Sequence, residues 1–260
     1  MTSENYLRLR QICLATLDLK GTEETLSKIL GLTVCHRSTL ENFGLENIMF
    51  AVNGVFIEVV APIRAETAVH RFLARNNGLG GYMAIFDCAR VADHREAALA
   101  NGIDPVYERN SDEADLLQLN PKQTGATMME FDHHYGDDRM LGHYEWAGND
   151  WHKHVDTRVT KDILGIEITS PKAALRAELW AKLCLRPTSS GEAGLTDIKL
   201  DYGTLTFRQT ESGSPEMLRA MDITVTDRQK TLATAESEGC NLSHSSFTCC
   251  GMEFRVHTAT

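Results

Sequence analysis

Three polar side chains stand inside runs that otherwise read as β-strand. In LRLRQICLA (7–15) polar and apolar residues alternate, and Gln11 falls on the apolar side with Leu9 and Cys13. A side-chain amide in that position needs hydrogen-bond partners or a ligand. Glu58 in VFIEVVAP (55–62) and Glu130 in ATMMEFD (126–132) are carboxylates in runs of the same kind. Glutamate is depleted in strands, and burying one without a partner is costly. A hydrogen-bonded core amide and solvated carboxylates at strand ends would account for each residue singly. Two glutamates at matching places of a repeated pattern are harder to account for that way.

The repeat is visible along the whole chain. A strand at 7–16 is followed by a helix at 21–30, with Leu26, Ile29 and Leu30 on one face and Gly31 as its stop. LTVCHR, LENIMFAV and VFIEVVAP then supply three strands, the last two joined by the Asn53-Gly54 hairpin turn. The same order returns from GYMAIFD (81–87) through a helix at 90–102 to PVYER, ADLLQL and ATMMEFD. A third pass starts at ILGIEITS (163–170), with Ser170 as helix N-cap and Pro171 at the first helical position. A fourth starts at AMDITVTD (220–227), with Asp227 as cap and Gly239 as stop. The fold class is therefore α+β, in tandem paired βαβββ modules. Residues 133–156, rich in His, Gly and Asp and carrying two of the three tryptophans, fit no module and read as a connector. Their irregular spacing favours a solvated loop over a metal site.

The formal net charge of −10 and dispersed Lys and Arg argue against nucleic acid and for a small-molecule partner. The N-terminal run lacks a secretory h-region, and no stretch approaches the roughly 18 apolar residues of a membrane span. Seven cysteines without C-x-x-C spacing indicate neither a disulfide framework nor a zinc ribbon, and a cytoplasmic setting is expected. Cys249 and Cys250 read as packing residues, pointed to opposite faces by strand alternation.

Paired βαβββ modules resemble the vicinal oxygen chelate superfamily, which includes glyoxalase I, methylmalonyl-CoA epimerase, extradiol dioxygenases and bleomycin-resistance proteins. LRQICLATLDL, FGLENIMFAVNGVFIEVVAP and GLGGYMAIF are similar to bacterial two-domain, glyoxalase-like members. The resemblance implies the glyoxalase/bleomycin resistance/dioxygenase fold, with modules paired around a cupped site. The expected division is an N-terminal domain at 7–132 holding the site, a connector at 133–160, and a degenerate C-terminal domain at 161–257.

The resemblance also implies metal ligands in the first and last strands of each module. Gln11 and Glu58 match those places in the first module and Glu130 the last strand of the second, where Gly81 replaces the usual histidine. Three oxygen ligands suit Mg²⁺ or Mn²⁺ better than Ni²⁺ or Zn²⁺. Such an ion would polarise a carbonyl, and Glu130 or Glu58 would take the α proton, giving isomerase, epimerase or lyase chemistry on a small carbonyl or vicinal-oxygen substrate. Phe56, Tyr82, Met83 and Met128 are candidate substrate-lining residues, although a barrel core explains them as well. The alternative is a metal-free binding or sequestering protein of the bleomycin-resistance type. The residues argue against an extradiol dioxygenase, whose two histidines and carboxylate are not found together at the matching places. In the second half Gly165 and Phe207 align with Gln11 and Glu58, and Glu253 with Glu130. That half is expected to support, cover or dimerise, so a homodimer is compatible with the reading.

Overall fold

The computed structural model describes residues 5–259. The first module is β1 (Leu7–Ala15), α1 (Leu19–Leu30), β2 (Val34–Leu40), β3 (Leu45–Val52) and β4 (Val55–Pro62). After α2 (Ala68–Asn76) the second follows: β5 (Met83–Cys88), α3 (Val91–Ala100), β6 (Pro105–Asn110), β7 (Ala114–Leu119), a single turn α4 (Pro121–Thr124) and β8 (Met128–His134). The third holds β9 (Thr160–Ser170), α5 (Ala173–Cys184), β10 (Thr188–Ser190), β11 (Thr196–Lys199) and β12 (Thr204–Gln209). The fourth holds β13 (Met217–Val225), α6 (Arg228–Ser237), β14 (Asn241–Ser243), β15 (Ser246–Cys249) and β16 (Met252–Thr258).

These strands form two sheets of one plan, β2-β3-β4-β1-β5-β8-β7-β6 and β10-β11-β12-β9-β13-β16-β15-β14. In every module the first strand runs parallel to the last, and the hairpin strands are antiparallel. A parallel neighbour requires a crossover, and the helix after each first strand supplies it. The tandem paired βαβββ architecture expected from the sequence is the one observed.

Caps set the helix limits. The Asp18 carboxylate accepts from the Gly21 N–H, and Gly31 closes α1 in the left-handed region at φ 68°. A Cβ on Gly31 would stand 2.5 Å from Val159 Cγ2, so both backbone and space demand glycine. Gly31→Ala is expected to cost about 1–3 kcal/mol, read as a lower urea midpoint with an unchanged slope. Asp227 caps α6 as expected, accepting from the Lys230 N–H. The third helix departs from expectation: Ser170 ends β9, its hydroxyl accepts from the Lys172 N–H at 2.9 Å, and α5 begins only at Ala173.

Two compact units divide the chain. One takes the chain through Arg10, then Met83–Glu145 and Gly165–Leu218; the other takes Gln11–Tyr82, Trp146–Leu164 and Arg219–Thr260. In the first unit, Trp180 of α5 is fully buried, meets Phe207 edge-on and donates Nε1–H to the Thr124 carbonyl at 3.0 Å. In the second, α1 packs with α6, and Lys28 pairs with Glu238 at 2.8 Å. No helix among the described residues is long and apolar enough to cross a membrane.

Candidate functional site

In the unit that holds Gln11–Tyr82, Gln11 of β1 and Glu58 of β4 meet. The strands are parallel, with Gln11 beside Phe56 and Cys13 beside Glu58, so Gln11, Phe56 and Glu58 share one face. Gln11 Nε2 donates to Glu58 Oε2 at 2.9 Å. A third residue completes the group. Asn47 of β3 donates Nδ2–H to Glu58 Oε1 at 2.6 Å, and its own oxygen accepts from the Ser38 N–H and hydroxyl. Glu58 and Gln11 are 7% and 3% exposed, so the carboxylate is satisfied by amides rather than by solvent.

Asn47 was missed by sequence reasoning. Its signal was the Asn53-Gly54 turn, which sets Val52 opposite Val55 and so carries Asn47 to Val60, two residues along the same face from Glu58. Asn47→Ala removes one donor to Glu58 and the acceptor for Ser38. The expected loss is about 1–3 kcal/mol, read by urea unfolding.

In the other unit Glu130 of β8 is 4% exposed and accepts from Gln118 Nε2 at 2.6 Å, the two residues facing each other across β7 and β8. Strand register shows that Glu58 and Glu130 hold equivalent places. Gln11 lies beside Phe56 and Met83 beside Met128, and each glutamate follows two residues later. Gln11, Met83, Gly165 and Ala220 each stand seven residues before the N-cap of the following helix, at Asp18, Arg90, Lys172 and Asp227.

Three alignments are thereby corrected. Gly81 precedes β5, and the counterpart of Gln11 in the second module is Met83, a thioether. In the third module the counterpart of Glu58 is Thr206 rather than Phe207, because a slip of one residue changes the face. In the fourth it is Arg255 rather than Glu253. Gly165 itself is required by close packing, since a Cβ there would lie 2.2 Å from the Thr204 carbonyl oxygen.

The expected lining residues are distributed as follows. Phe56 is fully buried and meets Trp151 edge-on at 5.0 Å. Tyr82 packs edge-on against Phe72 at 5.1 Å. Burial pushes its hydroxyl up to about 12, with Cys13 and Glu58 adding repulsion, so it is a neutral donor. Met83 is buried and Met128 half-buried, adjacent across the β5–β8 pair.

The connector is less solvated than expected. His134 is part of β8 and 3% exposed, while Tyr144 and Trp151 are buried, because aromatic residues gain more from covering apolar surface than a polar loop loses. In the first unit Arg10 is 1% exposed, with its guanidinium over the Tyr144 ring and donating to the Met140 carbonyl. Arg8 pairs with the buried Asp87 at 3.3 Å. Among the described residues no group of three or more His, Cys, Asp or Glu side chains is arranged to hold a metal ion.

No protein-family model matches the chain. The uncharacterized protein YqjC of Bacillus subtilis is 24% identical over 133 residues, half of this chain and 94% of that protein. A hypothetical protein from Staphylococcus aureus superimposes with a TM-score of 0.69 over 97% of this chain and all of its own, at 12% identity. A methylmalonyl-CoA epimerase from Streptomyces coelicolor matches half of this chain and 98% of its own, at 24% identity and a TM-score of 0.45. The order of elements, the parallel closing strands and two sheets of one plan give this chain tandem paired βαβββ modules, a fold it shares over nearly its whole length with the Staphylococcus aureus protein.

Proposed function

We propose that the chain is an enzyme that removes a proton α to a carbonyl of a small molecule, in the manner of an isomerase, epimerase or lyase. The observation that carries this reading is the buried Glu58 carboxylate, held by Gln11 and Asn47 on one strand face. A carboxylate fixed in low-dielectric surroundings is a suitable base or ligand, because its orientation is set before a substrate arrives. Glu130 is carried over as the second carboxylate from its equivalent register and from the sequence resemblance. The working division remains 7–132 for the catalytic domain, 133–160 for the connector and 161–257 for the second domain.

The donor set fits a hard divalent cation. Each carboxylate oxygen of Glu58 accepts one amide hydrogen and retains a lone pair, and Gln11 adds an amide oxygen. Glu58 and Gln11 would hold the ion, which would supply Lewis-acid polarisation of the substrate carbonyl when bound. Asn47 keeps the Glu58 carboxylate from rotating, and the neutral Tyr82 hydroxyl serves as a donor toward substrate oxygen.

One observation favours a second reading, metal-free ligand binding: the residue in register with Gln11 is Met83, whose thioether is a poor partner for a hard cation. Proton exchange separates the two. The intact protein, in D₂O with a panel of 2-substituted acyl thioesters and α-hydroxycarbonyl compounds, is expected to exchange the α proton faster with Mg²⁺ or Mn²⁺ than with a chelator. Thermal stabilisation by a panel member without exchange, unaffected by metal, would replace catalysis by binding.

A further inference from the structure

Three of the seven cysteines gather in one place in the second unit, and the proposed proton chemistry uses none of them. Cys249 ends β15, Cys250 and Gly251 form the turn, and β16 begins at Met252. The expectation that Cys249 and Cys250 point to opposite faces fails here. Cys250 has left the strand for the left-handed region at φ 50°, and the two sulfurs are 3.9 Å apart. Cys240 approaches from the other side. Asn241 pairs with Thr248 across β14 and β15, so the next step of the register sets Cys240 facing Cys249. Facing residues of an antiparallel pair have Cα atoms about 4.5–5.5 Å apart, within the range a disulfide spans.

We propose that Cys240, Cys249 and Cys250 form a peroxide-responsive thiol–disulfide site that ends in a Cys240–Cys249 disulfide. Cys250 is the sulfur that meets the oxidant. It is half-buried rather than buried, and it contacts Thr22 Oγ1 at 3.5 Å, with Thr16 a further 3.0 Å along the hydroxyl chain. Hydrogen bonding with Cys249, 3.9 Å away, and with the Thr22 hydroxyl holds the Cys250 thiol below the usual cysteine range against the opposing effect of burial. Its neighbour Cys249 is pushed up, and burial pushes Cys35 up to about 11 and Cys184 up to about 12. Cys250 is thus the favoured nucleophile in its own cluster.

The chemistry balances with a hydroperoxide as oxidant. The Cys250 thiolate attacks the distal peroxide oxygen, the O–O bond breaks, and the alkoxide or hydroxide takes up a proton, leaving Cys250 as a sulfenic acid. The Cys249 sulfur then displaces hydroxide from Cys250, and its thiol proton combines with that hydroxide as water. A disulfide between adjacent residues closes a strained ring and is easily reduced. Cys240 therefore attacks Cys249, giving its proton to the departing Cys250 sulfur. Two thiols and one hydroperoxide become one disulfide, one alcohol or water, and one further water, with Cys250 returned as a thiol.

Intact-mass and peptide mapping of the full chain, treated with submillimolar hydrogen peroxide, tests this. The expected result is a loss of about 2 Da, reversed by dithiothreitol, with a cross-link joining Cys240 and Cys249. Cys249→Ser is expected to halt at a sulfenic acid on Cys250, seen as about +16 Da and captured by dimedone. Cys250→Ser should slow the cross-link roughly tenfold or more. Urea midpoints of the variants establish that each remains folded. First oxidation at Cys35 or elsewhere, a Cys249–Cys250 end product, or an unchanged rate in Cys250→Ser overturns the proposal.

Discussion

Glu58→Gln is expected to slow α-proton exchange roughly 10²–10⁴-fold, the range that a positioned acid–base group contributes. Glutamine keeps the shape of the side chain but presents an NH₂ group where a carboxylate oxygen accepted from Gln11 or Asn47. One donor then faces another, and rotation of the Gln11 amide relieves the conflict at a cost of about 1–3 kcal/mol. The variant therefore folds, and its lost turnover reports on chemistry. Glu58→Ala separates the two effects further. It leaves the Gln11 and Asn47 amides without their shared acceptor and should lower the urea midpoint more than Glu58→Gln, with equally little turnover. Exchange in Glu58→Gln at the wild-type rate would remove Glu58 from the mechanism while leaving the fold assignment intact.

Acidification should destabilise the protein before ordinary carboxylates are protonated. His134 is buried in β8, its Nδ1 accepts from the Glu145 N–H at 3.1 Å, and Nε2 therefore carries the hydrogen. Burial, with repulsion from Arg10, His143 and His133, pushes its pKa down to about 3. Asp132 lies 3.9 Å from Nε2. The unfolded chain accepts this proton near the ordinary histidine value and the folded chain resists it. Stability is accordingly complete above about pH 6.5 and is lost as pH falls toward 3, by about 2 kcal/mol between pH 7 and 5.

His94, stacked on Phe131 and lowered by burial, shifts in the same sense. Asp87 acts in the opposite sense. Burial raises its pKa despite Arg10 and Arg8, so its share of stability is present at low pH and is lost as pH rises through the folded value. Urea midpoints at pH 7 and pH 5 should differ for the native chain. His134→Asn, which keeps an acceptor for the Glu145 N–H, should show a smaller difference. Equal midpoints for the native chain at the two pH values would contradict the assignment.

The module order was legible because its punctuation is chemical. Gly31, the Asn53-Gly54 turn and Asp227 each satisfy a backbone requirement that other residues meet poorly, and all three stand where expected. Glu58 and Glu130 were legible as carboxylates in strands, and both are buried. Register was read less well. The alternation in GYMAIFD predicts a strand from Gly81, whereas the β5–β8 ladder starts at Met83, and a shift of two residues leaves the side-chain face unchanged and so goes unnoticed in an alternation pattern. The shift of one between Phe207 and Thr206 does change the face. It escaped detection because the covered face of β12 and its polar face both contain residues common in strands. The burial of Arg10 depends on Tyr144 and Met140, far along the chain, and no local pattern announces such a contact.

Neither compact unit is drawn from one continuous stretch. The unit that begins at Gln11 and runs to Tyr82 also takes Arg219–Thr260. During synthesis its opening portion must wait, at about 5–20 residues per second, on the order of ten seconds before its closing portion is made. Over that interval the apolar face of α1, with Leu26, Ile29 and Leu30, lacks the α6 neighbour it has in the finished protein. Translation speed between Tyr82 and Arg219 is therefore a determinant of yield, and synonymous codon changes in that stretch should alter the soluble fraction without altering a single residue.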